Sequence, residues 1–292
     1  MQALRYARAS SVADAVQMLR DGGETARVLA GGTDVIVQAR ERRREVRLLV
    51  DVKRIPELTA LAIGPDGLDV GAATPLYAVY GNAEVRRRYP ALVEAAHSIG
   101  GTAVQGRASL GGNLANASPA ADSIPAMIAL GGMARIAGPN GRREVAVAEF
   151  CTGPGRSALE PGEFIISLHF PPPAPGSGAA WERFIPRNEM DIAVVNAAAY
   201  LALEGDTVTD ARLALGAVAP TPLALTDVAA GLVGHPLDDA AIDRASAAAS
   251  AAARPISDMR GSEDQRRRLA GVLMGRVLRT AAARARGEEA PK

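Results

Sequence analysis

Leu29-Ala-Gly-Gly-Thr-Asp34 and, 80 positions on, Ser109-Leu-Gly-Gly-Asn-Leu-Ala-Asn-Ala-Ser-Pro-Ala-Ala-Asp122 decide how this chain is read. In each, an aliphatic run halts at a Gly-Gly pair, which predicts a sharp turn with bare N–H groups aimed at an anion. Each then leads toward a predicted helix start. Thr33 and Asp34 can N-cap Val35-Ile-Val-Gln-Ala-Arg40, and Ser118-Pro119 offers a cap followed by proline at the first helical position. Amides beside a helix N-terminus favour a pyrophosphate. Either segment alone reads equally well as an ordinary turn. Together they ask for more, because turn glycines make no demand for Thr33, Asn113, Ser118 or Asp122 around them. A dinucleotide does, since its hydroxyls and phosphates are within reach of short polar side chains. Asp122 has two readings, a helix cap before Ser123-Ile-Pro125 or an acceptor for ribose or ribityl hydroxyls.

Around these segments the first half of the chain mixes short strands and helices. Strands are predicted at Arg27–Ala30, Leu48–Val52 and Leu68–Ala72, and a helix at Tyr89–Ile99 that the Gly100-Gly101 pair stops. Phe164-Ile-Ile-Ser-Leu-His-Phe170 reads as a strand ended by Pro171-Pro-Pro173, and the proline and glycine run to Gly178 marks a domain boundary. Beyond it, Ile192–Leu203 and Val208–Val218 read as antiparallel strands joined at Glu204-Gly-Asp206. Asp239–Ala253 and Ser262–Arg284 carry strong helix formers with apolar faces and read as a small helical bundle. The whole is α+β, with the first domain at 1–176, the second at 177–286 and a flexible tail at 287–292.

Bulk composition excludes several functions. The 292 residues can bury a large core, and 33 basic against 32 acidic side chains leave no positive field to hold nucleic acid. Lysine occurs only at Lys53 and Lys292, neither in an apolar setting that suits a Schiff-base amine. A single cysteine, Cys151, forbids an internal disulfide and an iron–sulfur cluster held by this chain alone. No leader is apparent at Met1–Tyr6 and no segment has the length and apolarity of a membrane span, so the expected location is cytoplasmic. His97, His169 and His235 lack the spacing and carboxylate companions of a metal site. Gly-x-Ser-x-Gly, the phosphate loop ending in Gly-Lys-Ser/Thr and Gly-x-Gly-x-x-Gly are all missing. No acid–base pair stands out.

A series of ordered features along the chain resembles the FAD-binding (medium) subunit of the molybdenum hydroxylases, the family of xanthine dehydrogenase and aerobic carbon monoxide dehydrogenase. They are the amphipathic Ser11–Leu19, the two glycine segments, Arg187-Asn-Glu-Met-Asp-Ile-Ala193, Gly216-Ala-Val-Ala-Pro-Thr-Pro222 and Pro255-Ile-Ser-Asp-Met-Arg-Gly-Ser262. The resemblance implies a two-lobed FAD-binding domain of the vanillyl-alcohol-oxidase-like type, followed by a smaller domain of antiparallel sheet plus helical bundle. It implies a first cofactor segment at Val28, Leu29, Ala30, Gly31, Gly32, Thr33, Asp34 and Val35, with Gly31 and Gly32 closest to the pyrophosphate. The second comprises Ser109, Leu110, Gly111, Gly112 and Asn113, with Asp122 following. Ile99 takes an apolar position beside the cofactor, or a plain core position; Ile165 covers the isoalloxazine face. Arg183 matches a basic residue near the flavin, with a solvated surface arginine as the other reading, and Asp191 and Ile192 match a motif on the lobe boundary.

By the same resemblance the partners are a small subunit with [2Fe–2S] clusters and a large subunit with a molybdopterin cofactor, arranged as a dimer of heterotrimers. Electrons then pass from the clusters to FAD and on to an external acceptor: NAD, quinone or dioxygen. The branch with 4-hydroxybenzoyl-CoA reductase, which adds a cysteine-ligated cluster to this subunit, does not suit a chain with one cysteine. The residues themselves also admit a free-standing flavin oxidase or dehydrogenase of related fold, or a non-catalytic nucleotide-binding adaptor.

Overall fold

The computed structural model describes residues 4–187 and 190–289. Strands β1 (Arg5–Arg8), β2 (Ala26–Leu29) and β3 (Leu48–Asp51) form a parallel sheet in the order β1-β3-β2. Helix Val12–Gly22 makes the first crossover: Ser11 caps it through the amide of Asp14, and Ala15 and Leu19, four apart, bury one face. That face packs on Ala26, Leu48 and Val50 in a core of their own. Helix Val35–Arg40 makes the second crossover.

Strands β4 (Leu61–Gly64), β5 (Gly67–Gly71), β6 (Met133–Gly138) and β7 (Gly141–Ala146) belong to a second sheet. After the hairpin β8 (Cys151–Gly153) and β9 (Arg156–Ser157), strand β10 (Phe164–Phe170) returns and inserts between β5 and β6, antiparallel to both. Six of its seven residues are buried, which explains its unbroken apolar sequence. The strand stops where the prolines at 171–173 remove the ladder donors.

The third sheet runs β11 (Ser177–Phe184), β12 (Val195–Glu204), β13 (Thr207–Gly216) and β14 (Leu223–Ala224) in that order. β12 and β13 form the expected antiparallel pair, turning at Gly205 with φ +58°. β11 starts inside the stretch read as a boundary and pairs with β12 over eight positions, from Ser177↔Ala202 to Phe184↔Val195. The first nine residues of β12 are all buried. One face of the sheet receives helix Ser123–Ala129, and the other receives Glu263–Arg286, which packs alongside Asp239–Ala252. The alanines of β12 therefore suit a strand pressed from both sides, and the two C-terminal helices, packed on each other, lie as a layer on the sheet. The tail is fastened at its start: Gly287 closes the last helix in the left-handed region, and the amide of Glu288 donates to the Ala283 carbonyl at 2.8 Å. Residues 290–292 lie outside the described part.

Every residue of helix Ser123–Ala129 is buried. Its core also takes in Ala179, Trp181, Ala198 and Tyr200 of the third sheet, so one hydrophobic body spans both halves of the chain. Each Leu, Ile or Met in it contributes roughly 1.5–3 kcal/mol. Among the described residues no helix is long and apolar enough to cross a membrane.

Candidate dinucleotide site

A cleft of about 1180 Å³ opens between the parallel sheet and the second sheet. It exceeds the roughly 300–1,000 Å³ of most small-molecule sites, as an extended ligand requires. Fourteen of the seventeen expected cofactor residues line it: Val28, Ala30, Gly31, Gly32, Thr33, Asp34, Val35, Ile99, Ser109, Gly111, Gly112, Asn113, Asp122 and Ile165. Leu29, Leu110 and Arg183 do not. Leu29 alternates away from Val28 along β2 and packs with Ala39, Val46 and Leu49. Leu110 lies wholly in the main core, and Arg183 turns to Asp122. Ile99 lines the cleft and also packs against the main core, so both of its readings hold.

The first glycine loop follows β2. Gly32 sits at φ +82°, open to glycine at little cost, while a Cβ on Gly31 would run into the Arg107 carbonyl oxygen. Arg107 Nε in turn donates to the Gly31 carbonyl at 3.2 Å, so this loop is pressed against the turn that precedes the second segment. The amides of Gly31, Gly32, Thr33, Asp34 and Val35 meet no acceptor among the described residues. Asp34 stands at the N-cap position, yet its side chain makes no capping bond. Its Oδ1 accepts instead from Asn116 Nδ2 at 3.4 Å, and Asn116 Oδ1 accepts from Gln38 Nε2 at 2.9 Å. These two bonds tie the helix after the first glycine pair to the helix that contains the second.

The second segment departs from the expected turn. Gly111 and Gly112 are the second and third residues of helix Leu110–Asn116, with Ser109 as N-cap accepting from the Gly112 amide at 3.1 Å. Packing dictates Gly111: a Cβ there would stand 2.6 Å from both Cβ and the carbonyl oxygen of Ala72. The Leu110 amide is engaged in the antiparallel bridge between Pro75 and Ser109, and the Gly111 amide finds no acceptor among the described residues. Ser118-Pro119 forms a turn instead of starting a helix, and the next helix begins at Ser123. Tertiary bonds hold that turn. Ala117, at φ +47°, gives its carbonyl to the Gly155 amide at 2.9 Å, and Pro119 gives its carbonyl to the Ala217 amide at 2.8 Å.

Asp122 immediately precedes helix Ser123–Ala129 but makes no side-chain cap. Its Oδ2 accepts from Arg183 Nη1 at 2.9 Å, with only 9% of the Arg183 side chain and 12% of the Asp122 side chain exposed. That burial removes the surface-arginine reading of Arg183. Burial also pushes the Asp122 carboxyl up to about 6, against the downward pull of the Arg183 charge. Its second oxygen, Oδ1, is buried without a partner among the described residues, an arrangement that costs free energy unless a donor arrives from elsewhere. A cofactor hydroxyl is such a donor. The unspent amides, the orphan carboxylate oxygen and the size of the cleft together fit FAD.

Gln38, Asn116, Asp191 and Ile192 also line the cleft without having been read as cofactor residues. Gln38 falls four after Asp34 and Asn116 three after Asn113, a helical spacing that places each on the face of a residue already singled out. Asp191 comes to the cleft by the folding of the third sheet onto the first domain, which no local spacing announces.

Fold and site define a dinucleotide-binding α+β protein whose cleft is built from backbone amides. Residues 2–173 match the family model for the FAD binding domain in molybdopterin dehydrogenase, and residues 183–281 match that for the CO dehydrogenase flavoprotein C-terminal domain. The chain belongs to the FAD-binding medium subunits of the xanthine and carbon monoxide dehydrogenase type, a family of oxidoreductase subunits. It is 33% identical over 285 residues, 97% of each chain, to the putative xanthine dehydrogenase FAD-binding subunit of Escherichia coli (strain K12). It is 36% identical over 283 residues to the carbon monoxide dehydrogenase medium chain of Afipia carboxidovorans, covering 96% of this chain and 97% of that one. Among solved structures, a chain of the cyanide-inactivated Cu,Mo-CO dehydrogenase superposes with TM-score 0.92 at 35% identity, covering 96% of this chain and 98% of that one. Quinoline 2-oxidoreductase from Pseudomonas putida 86 gives 0.89 at 31% identity, with 97% and 98% covered. The resemblance carried by those sequence features is thereby confirmed.

Proposed function

We propose that this chain is the FAD-binding electron-transfer subunit of a molybdenum hydroxylase complex, receiving electrons from [2Fe–2S] clusters on a small partner chain and passing them to an external acceptor. A large partner chain carries the molybdopterin cofactor, and two heterotrimers pair. The observation that carries this reading is the convergence, in one cleft, of six amides without an acceptor among the described residues, from segments 80 positions apart. Gly31–Val35 and Gly111 hold the diphosphate through those amides, and Asp122 Oδ1 accepts a hydroxyl. Ile99 and Ile165 provide apolar wall. Bound FAD supplies the redox chemistry, while the chain orients it and keeps water from it.

The partner chains follow from what this one lacks. Its single thiol, Cys151, is pushed up to about 11 by burial, so it is a poor thiolate donor and cannot ligate a cluster unaided. Medium chains of the carbon monoxide dehydrogenase type are among the relatives, and a chain of this design functions as part of a larger assembly. Purification of the tagged chain from its own cells tests both halves of the proposal. The expected preparation is yellow, releases FAD on denaturation, and carries two further chains with iron, acid-labile sulfide and molybdenum. A yellow chain that emerges alone and turns over an organic substrate overturns the partner reading. A folded chain that never takes up FAD overturns the whole.

A further inference from the structure

Arg183, Asn196 and Gly216 occupy one row across three strands: Arg183 faces Asn196 in the β11–β12 register, and Asn196 faces Gly216 in the β12–β13 register. The row meets the loop that joins the second glycine helix to helix Ser123–Ala129. Arg183 Nη1 binds the Asp122 carboxylate at 2.9 Å, Asn196 Nδ2 donates to the Ala121 carbonyl at 3.3 Å, and the amide of Ala217, next to Gly216, donates to the Pro119 carbonyl at 2.8 Å. Two bonds from strands and one from the residue that follows a third strand thus grip three of the four residues from Pro119 to Asp122. Asn196 is fully buried, and Gly216 is required beside it because a Cβ would run into Asn196 Oδ1.

A buried polar row of this kind is costly to build. Arg183 spends its recorded side-chain bond on Asp122 and does not line the cleft, although it is nearly buried. The only part of the gripped loop that presents an unpartnered buried carboxylate oxygen is Asp122. We propose that the Arg183–Asn196–Gly216 row of the C-terminal sheet is a positioning device that holds Asp122 ionised and fixed for a cofactor hydroxyl, so that the second domain sets the affinity of the first for FAD. This rests on the FAD reading given above. Arg183 and Asn196 act through Asp122 and are positioning residues. The groups acting on the carboxylate are Arg183 from β11 and the neutral Asn196 from β12, with no other charged group among the described residues perturbing it. On the helix side Ser123 gives its hydroxyl to Asn113 Oδ1 at 2.6 Å.

The sign is definite. An ionised Asp122 accepts from a hydroxyl at either oxygen, so affinity is full above the carboxyl's titration and falls as pH drops through about 6. Without the Arg183 charge, burial acts unopposed and the fall begins at higher pH. The experiment is titration of the full-length apoprotein with FAD, followed by quenching of flavin fluorescence from about pH 5 to about pH 8. Arg183→Met is expected to move the midpoint of the affinity loss upward and to raise the dissociation constant at neutral pH at least about tenfold, while Arg183→Lys restores the wild-type midpoint. Asp122→Asn is expected to abolish the pH dependence in both backgrounds. Arg183→Met with wild-type affinity and midpoint overturns the proposal, as does a weakening that is the same size in the Asp122→Asn background. Should Arg183→Met not fold, Asn196→Ala carries the test: at least about a fivefold loss is expected, and an unchanged constant overturns it. A wild-type chain that binds no FAD at all is a different outcome, and it defeats the FAD reading itself.

Discussion

The two glycine pairs look alike in sequence and do different physical work. At the first, Gly32 adopts a left-handed backbone and Gly31 tolerates a carbonyl against its Cα, so five successive amides are left outside any helix or ladder. At the second, the glycines sit in the first turn of a helix, and Gly111 is set by the approach of Ala72. On the proposed FAD reading, one pair shapes a loop for the ligand, whereas the other lets a helix lie close enough to bring the free Gly111 amide to the same place. A Gly-Gly dipeptide by itself does not distinguish these cases. The residue two before it does: Ser109 is a capping residue whose hydroxyl accepts from the Gly112 amide, and Leu29 has no side-chain acceptor.

The largest effect is expected at Gly31. A methyl there meets backbone, the Arg107 carbonyl, and no side chain can swing aside to make room. Gly31→Ala must therefore displace the loop and with it the amides of Gly31–Val35. The FAD dissociation constant should rise at least about a hundredfold, equivalent to roughly 3 kcal/mol. Fluorescence titration of the folded variant decides it, and a constant within threefold of wild type breaks the distinction drawn between the two pairs.

At Gly111 the same substitution should act mainly on stability. The added methyl would stand 2.6 Å from Ala72 Cβ and 2.7 Å from its Cα, so helix Leu110–Asn116 must lift from the end of β5. About 1–3 kcal/mol of unfolding free energy should be lost, visible as a lower urea midpoint. The folded fraction should still bind FAD within about tenfold of wild type, because the helix keeps its own amides together. A Gly111→Ala variant of normal stability that binds no FAD would instead make this second pair a ligand-shaping loop like the first.

How far the sequence could be read follows the same division. Where a feature is local, the reading holds: strand β10 with its proline stop, the β12–β13 hairpin around Gly205, and the loop after β2 are all where pattern and turn chemistry place them. Where tertiary contacts override local signals, it does not. Ser118-Pro119 has the residues of a helix start, but the bonds from Gly155 and Ala217 hold it as a turn. Strand β11 is hidden among small residues after a proline run and is defined by its pairing with β12. Arg183 could be matched to a position near the cofactor, but its commitment to Asp122 appears only once the third sheet is folded against the first domain. Membership of the family was legible because its motifs are backbone motifs, and backbone geometry restricts residue choice more tightly than side-chain contact does.

The smallest effect, and the one that asks whether the two regions act as one site, is expected at Gln38. Its Nε2 donates to Asn116 Oδ1 at 2.9 Å, and Asn116 passes the link to Asp34. This is the side-chain connection between the helix after the first pair and the helix of the second, in a half-buried setting where a neutral hydrogen bond is worth about 0.5–1.5 kcal/mol. Gln38→Ala leaves both glycine segments and every cradle amide in place, so any loss of FAD affinity comes from relative motion of the two helices. A two- to fivefold rise in the dissociation constant, about 0.4–1 kcal/mol, is expected, with a matching loss in Asn116→Ala and no further loss in the double variant. Additive losses would mean that Gln38 and Asn116 serve the ligand separately, and the two regions would then be neighbours that share a cleft without being coupled.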